Sequence, residues 1–217
     1  MEKRLVRSLI IERLGKVFKE HKFIWSSKYD QFIRKEDDII YIYSLSFSKK
    51  DQHIFIRPSV KMKFKKIEEI YFKAASQKDK DYQHSIITLG NTIKQIIRHF
   101  DENTDIWTNE IQEFLIENEE DTSRTVLALE NLFFEYVLRY FNNYNNIESV
   151  DKLLNSDLMV LSIHNSLYPL RACIGLITAK LIQRKDYELI KSTYSSKIIT
   201  SIDEYRNNFS RLVKLLD

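Results

Sequence analysis

The sequence of 217 residues is poor in residues that break regular structure or cross-link the chain: it has three glycines, two prolines and one cysteine. A single thiol, Cys173, cannot form an intramolecular disulfide, which excludes the small folds held together by such bridges. The scarcity of glycine and proline indicates few tight breaks and long helices. We therefore expect a folded protein of the reducing cytoplasm.

The chain also lacks the short motifs of the common enzyme classes. It has no Cys-x-x-Cys pair, no His-x-x-x-His spacing, no glycine-rich phosphate loop and no Gly-x-Ser-x-Gly turn. Residues 101–112 resemble a calcium loop, but Ile106 and Gln112 occupy the positions that need glycine and glutamate. No window is apolar enough to span a membrane. We predict a non-enzymatic protein with no cofactor, no metal and no membrane contact.

Charge is distributed unevenly behind a formal net charge of +3. Residues 1–100 carry 22 Lys/Arg against 12 Asp/Glu, a balance of +10, and residues 101–217 carry 12 against 19, a balance of −7. Such asymmetry between halves indicates interaction surfaces. Solvated charged faces, or two lobes that attract each other, would produce the same pattern.

The N-terminal part predicts one helix followed by an antiparallel meander. Apolar residues recur at helical spacing over residues 2–20. A short strand is predicted in "YDQFIRK", and the next two stretches alternate with a period of two, over 39–47 and 53–64. Short polar turns join the three strands, so they pair antiparallel. Pro58 predicts that the third strand lies at an edge or is bulged.

Helical spacing dominates from residue 66 onward. Helices are predicted over 92–100, 104–118 and 122–145, and a final one over 202–216, which a capping box of Ser201 and Glu204 would begin. The stretch "SIITL" is a candidate fourth strand. The predicted fold class is α+β: an N-terminal helix and a three- or four-stranded antiparallel meander, then a mostly helical C-terminal half. We predict two lobes, 1–90 and 91–217, packed together as one compact unit.

The stretch "FFEYVLRYFNNYNN", residues 133–146, has six aromatic residues among fourteen. At about 100° per residue, Phe133, Val137 and Tyr140 continue a stripe of aliphatic residues on the preceding turns. The asparagines that follow are poor helix formers and indicate the end of the helix. We therefore interpret the aromatic residues as a buried packing face rather than a platform for stacking a ligand.

Two charged surfaces are candidate binding sites. Residues 101–121 contain nine Asp/Glu and no Lys or Arg, and spacing predicts one helix face for three of the glutamates. The proposed partner-binding residues of this acidic surface are Glu110, Glu113, Glu117, Glu119, Glu120 and Asp121. A basic strand face could instead follow a phosphate backbone. Its residues are Arg57, Lys61, Lys63, Lys65 and Lys66, although lysines on an edge strand also prevent aggregation.

Three segments of the sequence carry a family resemblance: "FIWSSKYDQFIRKEDDIIYIYSLSFSKKDQHIFIRPSVKM", "FFEYVLRYFNNYNNIESVDKLL" and "RACIGLITAKLIQRKDYELIKSTY". Together they resemble a bacterial family of proteins of unknown function, some members of which resemble immunity proteins encoded beside toxins. The resemblance implies an α+β fold and a protein partner, and it supplies no site residues. We expect a protein-binding module, an immunity-type inhibitor of a basic toxin-like protein; the alternative is nucleic-acid binding through the basic strand.

Overall fold

The computed structural model describes residues 2–76, 85–101, 113–158, 164–165 and 167–217. The chain forms two compact units, and each draws on two separate stretches of sequence. Unit 1 contains Met1–Lys61 and Asn91–Asn142, and unit 2 contains Met62–Gly90 and Asn143–Asp217. The sequence-based division into lobes at residue 90 stays a prediction.

Unit 1 begins with helix α1, Lys3–Glu20. Its buried residues are Val6, Ile10, Leu14 and Phe18, four residues apart, so they form one stripe along the helix. Leu5, another apolar residue within the predicted helix 2–20, is 53% exposed. The predicted amphipathic helix is confirmed, and its buried stripe is narrower than expected.

The predicted meander is present as an antiparallel sheet formed by the first four strands. The strands are β1 Ile24–Ser26, β2 Gln31–Glu36, β3 Ile39–Lys50 and β4 His53–Phe64, followed later in the chain by β5 Leu89–Thr92 and β6 Phe114–Ile116. Asp37 and Asp51 have φ angles of 47° and 55° in the turns before β3 and β4. Aspartate tolerates this left-handed conformation better than most residues, which favours tight turns here.

Strand β4 lies inside the sheet, so the prediction of an edge strand was wrong. The strand order is β1-β2-β3-β4-β5, and β6 also pairs with β4, over Ile54–Ile56. Pro58 lies beyond the part of β4 that pairs with β6. Proline has no N–H, so Pro58 donates no hydrogen bond to a neighbouring strand.

The helix predicted over 104–118 is also wrong in the part that the structure describes. Phe114–Ile116 form strand β6, which pairs antiparallel with β4, and Glu113 and Glu117 lie at its two ends. Residues 102–112 lie outside the described part of the chain. The pairing of Ile116 with Ile54, two fully buried side chains, explains why tertiary packing overrides the helical spacing.

The aromatic stretch lies in a long helix that contains a π-helical turn. Helix α4, Glu119–Leu132, continues through the π-turn Phe133–Val137 into α5, Leu138–Asn143. Phe133 is fully buried and stacks on Phe18 with ring centroids 4.0 Å apart. Phe23 contacts Phe133 edge-on at 5.3 Å. The interpretation as a packing face is confirmed.

Unit 2 is mostly helical. Its helices are α2 Lys65–Ala74, α6 Ile147–Asn155, α7 Tyr168–Leu181, α8 Tyr187–Ile198 and α9 Asp203–Leu216, whereas α3, Ile93–Phe100, belongs to unit 1. Residues 171–179 of α7 are buried without interruption, so α7 is the central helix of this unit. The predicted capping box does not form between Ser201 and Glu204: Ile202 precedes α9, and Asp203 instead pairs with Arg206.

Candidate functional site

The outward face of the β4–β6 pair carries one apolar pair between two ion pairs. The three cross-strand pairs are His53–Glu117, Phe55–Leu115 and Arg57–Glu113. Each ion pair joins a nitrogen of β4 to a glutamate Oε1 at 2.8 Å. Cross-strand pairs of this kind contribute about 0.2–1 kcal/mol each. Arg57 and Glu113 were predicted to lie on separate surfaces, whereas the fold brings them together.

A cleft of about 530 Å³ lies beside this face. Its lining residues are Phe55, Glu113, Phe114 and Leu115 from the sheet, and Asp121, Arg124, Thr125 and Ala128 from α4. Leu115 is 45% exposed, and Phe55 is half-buried. The sequence pattern did not indicate Leu115 or Arg124. The apolar run "FLI", residues 114–116, lies between two glutamates and is too short to distinguish a strand from a helix.

Asp121 stabilises the start of α4. Its Oδ2 accepts hydrogen bonds from the backbone N–H groups of Glu117 and Asn118, at 3.0 and 3.1 Å, and Asn118 Oδ1 accepts from the Asp121 N–H. This is a capping box. The backbone hydrogen bond from Glu117 is the main reason that the pKa of Asp121 is lowered. Asp121 is therefore a structural residue of the cleft.

Two more of the proposed acidic residues, Glu119 and Glu120, are exposed in the first turn of α4. Carboxylates are favourable there because they lie at the positive end of the helix dipole. Glu110 lies outside the described residues. The proposed acidic helix face is thus replaced, for the described residues, by carboxylates at both ends of β6 and in the first turn of α4.

The proposed basic surface is partly neutralised and partly buried. Arg57 pairs with Glu113, and Lys63 is only 9% exposed, with its Nζ 3.4 Å from Glu68 Oε2. Lys61 is half-buried, and Lys65 and Lys66 are exposed at the start of α2. The prediction that Lys63 lies on an exposed face was wrong, because Glu68 of α2 folds against the end of β4. Nucleic-acid binding stays a prediction.

Glu68 is a buried carboxyl group with a raised pKa. It is 8% exposed, and burial raises its pKa to about 7, although the ammonium of Lys63 acts in the opposite direction. The hydroxyl of Thr88 donates a hydrogen bond to its Oε1 at 3.4 Å. Glu68 holds its proton more tightly in the folded chain than in the unfolded chain. The free energy of unfolding that its protonation adds is therefore complete below pH 4.5 and is lost as pH rises through 7.

We therefore expect Glu68→Gln, which stays neutral, to gain stability relative to the parent protein as pH rises from 5 to 8. The two proteins should differ least at pH 5, where Glu68 is itself protonated. Thermal melts of both proteins at several pH values between 5 and 8 would measure the difference. A difference in melting temperature that does not change with pH would contradict the raised pKa.

A buried polar network joins α6, α7 and α8 in unit 2. Asp151, 3% exposed, accepts hydrogen bonds from Asn155 Nδ2 at 2.6 Å and from Thr178 Oγ1 at 3.1 Å. Tyr194 donates to Asn155 Oδ1 at 2.7 Å. A Cβ atom at Gly175 would lie 2.6 Å from that same oxygen, so only glycine leaves room for it. These groups satisfy one another, and the network holds the helices together.

The thiol of Cys173 is not activated as a nucleophile in its setting. Cys173 is buried, and burial raises the pKa of its thiol, so the thiolate form is disfavoured. Within the described ranges, no three His, Cys, Asp or Glu side chains are grouped so that they could hold a metal ion. In the same part of the chain, no helix is both long and apolar enough to cross a membrane.

Comparison of the chain with family models, curated proteins and solved structures found no match in any of the three.

Proposed function

We propose that the chain is a non-enzymatic protein-binding module whose cleft between β6 and α4 receives a basic polypeptide. The observation that supports this function is the combination of half-exposed apolar side chains and carboxylates in one concave surface. The volume of about 530 Å³ is within the range of about 300–1,000 Å³ that is usual for binding sites.

The apolar side chains supply affinity in this proposal. Phe55 and Phe114 are half-buried, and Leu115 is 45% exposed, so each has apolar area to lose to a partner. Burial of such area contributes about 25 cal/mol per Å² before the costs of association. Aromatic residues at the centre of a concave patch are the residues that most often dominate binding energy.

The carboxylates supply charge selectivity. The negative residues of the region are Glu113, Glu117, Glu119, Glu120 and Asp121, and its cations include Arg57, Arg124 and Arg13, whose guanidinium donates to Ser123 Oγ on α4. A surface with this excess of negative charge attracts a basic partner and speeds its association. The contacts of Arg57 with Glu113 and of His53 with Glu117 reduce the excess of negative charge. They do not remove it, because Glu119 and Glu120 belong to neither contact and are exposed.

The immunity-type role is the specific form of this proposal. In that role the chain would bind a basic toxin-like protein in the cytoplasm and block it by occupying its surface. The cleft supports binding of a basic protein more than it supports nucleic-acid binding, because a carboxylate-rich surface repels phosphates. Two of the five cations assigned to nucleic acid, Arg57 and Lys63, also share their charge with a carboxylate.

Affinity purification of the tagged chain from its native host tests the proposal. We expect one basic polypeptide at a fixed stoichiometry, and we expect Glu113→Gln with Glu117→Gln to weaken its binding about tenfold, mainly through slower association. The matched control is Glu20→Gln, an exposed glutamate at the end of α1 that does not line the cleft. Repeated recovery of the chain alone, or equal binding by the double variant and the control, would contradict the proposal.

A further inference from the structure

The cleft follows the outer edge of β6, because it is lined by side chains from both faces of that strand. Successive side chains of a strand point to opposite faces, and both Phe114 and Leu115 line the cleft. The burial pattern agrees: Ile116 is buried, whereas Leu115 is exposed. Among the strands that the structure describes, β6 pairs with β4 alone. The N–H and C=O groups on the other edge of β6 are therefore not hydrogen-bonded to any described strand.

We propose that the partner binds as an extended segment that adds one strand to this edge of β6. The inference rests on the proposed function and specifies the conformation of the partner. Strand addition obtains affinity from main-chain hydrogen bonds and specificity from alternate side chains. A strand needs less space beside β6 than a helix does. An added strand lies about 4.8 Å from its neighbour, whereas a helix with its side chains is about 10 Å across.

The side chains of β6 define the pattern of the added strand. Its outward face presents Glu113, Leu115 and Glu117, and its other face presents Phe114 and Ile116. Directly opposed residues of paired strands have neighbouring side chains on the same face. The complementary segment of five residues therefore has a basic residue at each end and three apolar residues between them.

The existing ion pairs are compatible with an added strand. Each glutamate at the ends of β6 uses one carboxylate oxygen for its β4 partner at 2.8 Å. An ionised carboxylate has two oxygens and about four acceptor positions, so it can bind a second cation from the other side. At the Glu113 end the result would be a row of alternating charge across three strands, with the carboxylate between Arg57 and the basic residue of the added strand. At the other end Glu117 would lie between His53 and a basic residue.

The probe for this proposal is the capped pentapeptide Lys-Val-Val-Val-Lys, which has the same pattern in either direction. We expect it to slow amide hydrogen exchange within residues 113–117 of the full-length protein about tenfold at saturation, at the N–H groups that face the edge away from β4. The N–H of Glu117 already donates to Asp121 and should not change. The control peptide carries N-methyl groups on its three valines, which keep the side chains but remove donors of the ladder. It should bind about tenfold more weakly. A second control, Glu-Val-Val-Val-Glu, should not bind.

Three outcomes would overturn strand addition. These are no binding of the lysine peptide, equal binding of the N-methylated peptide, and concentration-dependent protection of residues 113–117 without any peptide, which would show that a second copy occupies the edge. None of these would affect the proposed function, because capture of a basic partner that depends on Glu113 and Glu117 is measured separately. Capture that fails while the peptide binds as expected would reject the proposed function alone.

Discussion

Phe133→Ala is expected to lower the free energy of unfolding by about 3–5 kcal/mol. The side chain is fully buried, and its ring stacks on Phe18 at 4.0 Å and contacts Phe23 and Tyr43 at 5.3 and 5.9 Å. Alanine would leave a cavity among these rings, because they are held by α1 and by strands of the sheet and cannot all move inward. Aromatic contacts beyond simple area burial would be lost as well.

A thermal melt of Phe133→Ala beside Glu117→Ala measures this effect. We expect the first protein to melt roughly 6–20 °C below the parent, and the second to change by no more than about 0.5 kcal/mol. The carboxylate of Glu117 is 53% exposed, and its ion pair with His53 is at the surface. If Phe133 served as a stacking platform for a ligand, Phe133→Ala would melt like the parent and lose binding instead.

The sequence predicts the elements of unit 1 well where periodicity and burial coincide. Alternation over β3 and β4 identifies the buried side chains Tyr43, Leu45, Ile54 and Ile56, all fully buried, because side chains two residues apart lie on the same face. It does not identify Ile42 and Ser44, which are buried on the other face of β3. The helical stripe through Phe133 is likewise predicted from its periodicity, although the π-turn is not. A π-turn depends on how neighbouring elements fit against the helix, which one segment of sequence does not specify.

The sequence fails at β6, and for the same reason it did not indicate that Arg57 and Glu113 lie together. The strand Phe114–Ile116 has only three residues, too few for an alternating pattern to be recognised in the sequence, and the glutamates on either side also suit a helix. Once β6 pairs with β4, the same glutamates lie opposite His53 and Arg57. A strand pairing across some 60 residues of sequence thus decides which charges meet, and local pattern does not contain that information.

Asp151→Ala is expected to cost about 3 kcal/mol of stability, the second large effect. Its carboxylate is nearly inaccessible and accepts hydrogen bonds from Asn155, Thr178 and Arg184. Alanine would leave one N–H of the Asn155 amide without its acceptor inside unit 2, whereas the Thr178 hydroxyl and the other Asn155 N–H could still donate to the Gly175 carbonyl. Arg184 is 25% exposed and keeps its second carboxylate, Asp186, so the loss stays below that of a wholly buried ion pair.

Asp186 provides the matched control, because it binds the same guanidinium from a side chain that is 44% exposed. Asp186→Ala should change the free energy of unfolding by no more than about 1 kcal/mol, as exposed ion pairs usually do. Chemical denaturation of the two variants beside the parent separates burial from charge pairing as the source of stability. If the two variants lose the same free energy of unfolding, the ion pair with Arg184 is the source of the stability, which would contradict this prediction. If Asp151→Ala loses more, the buried hydrogen bonds that link α6 to α7 are the source.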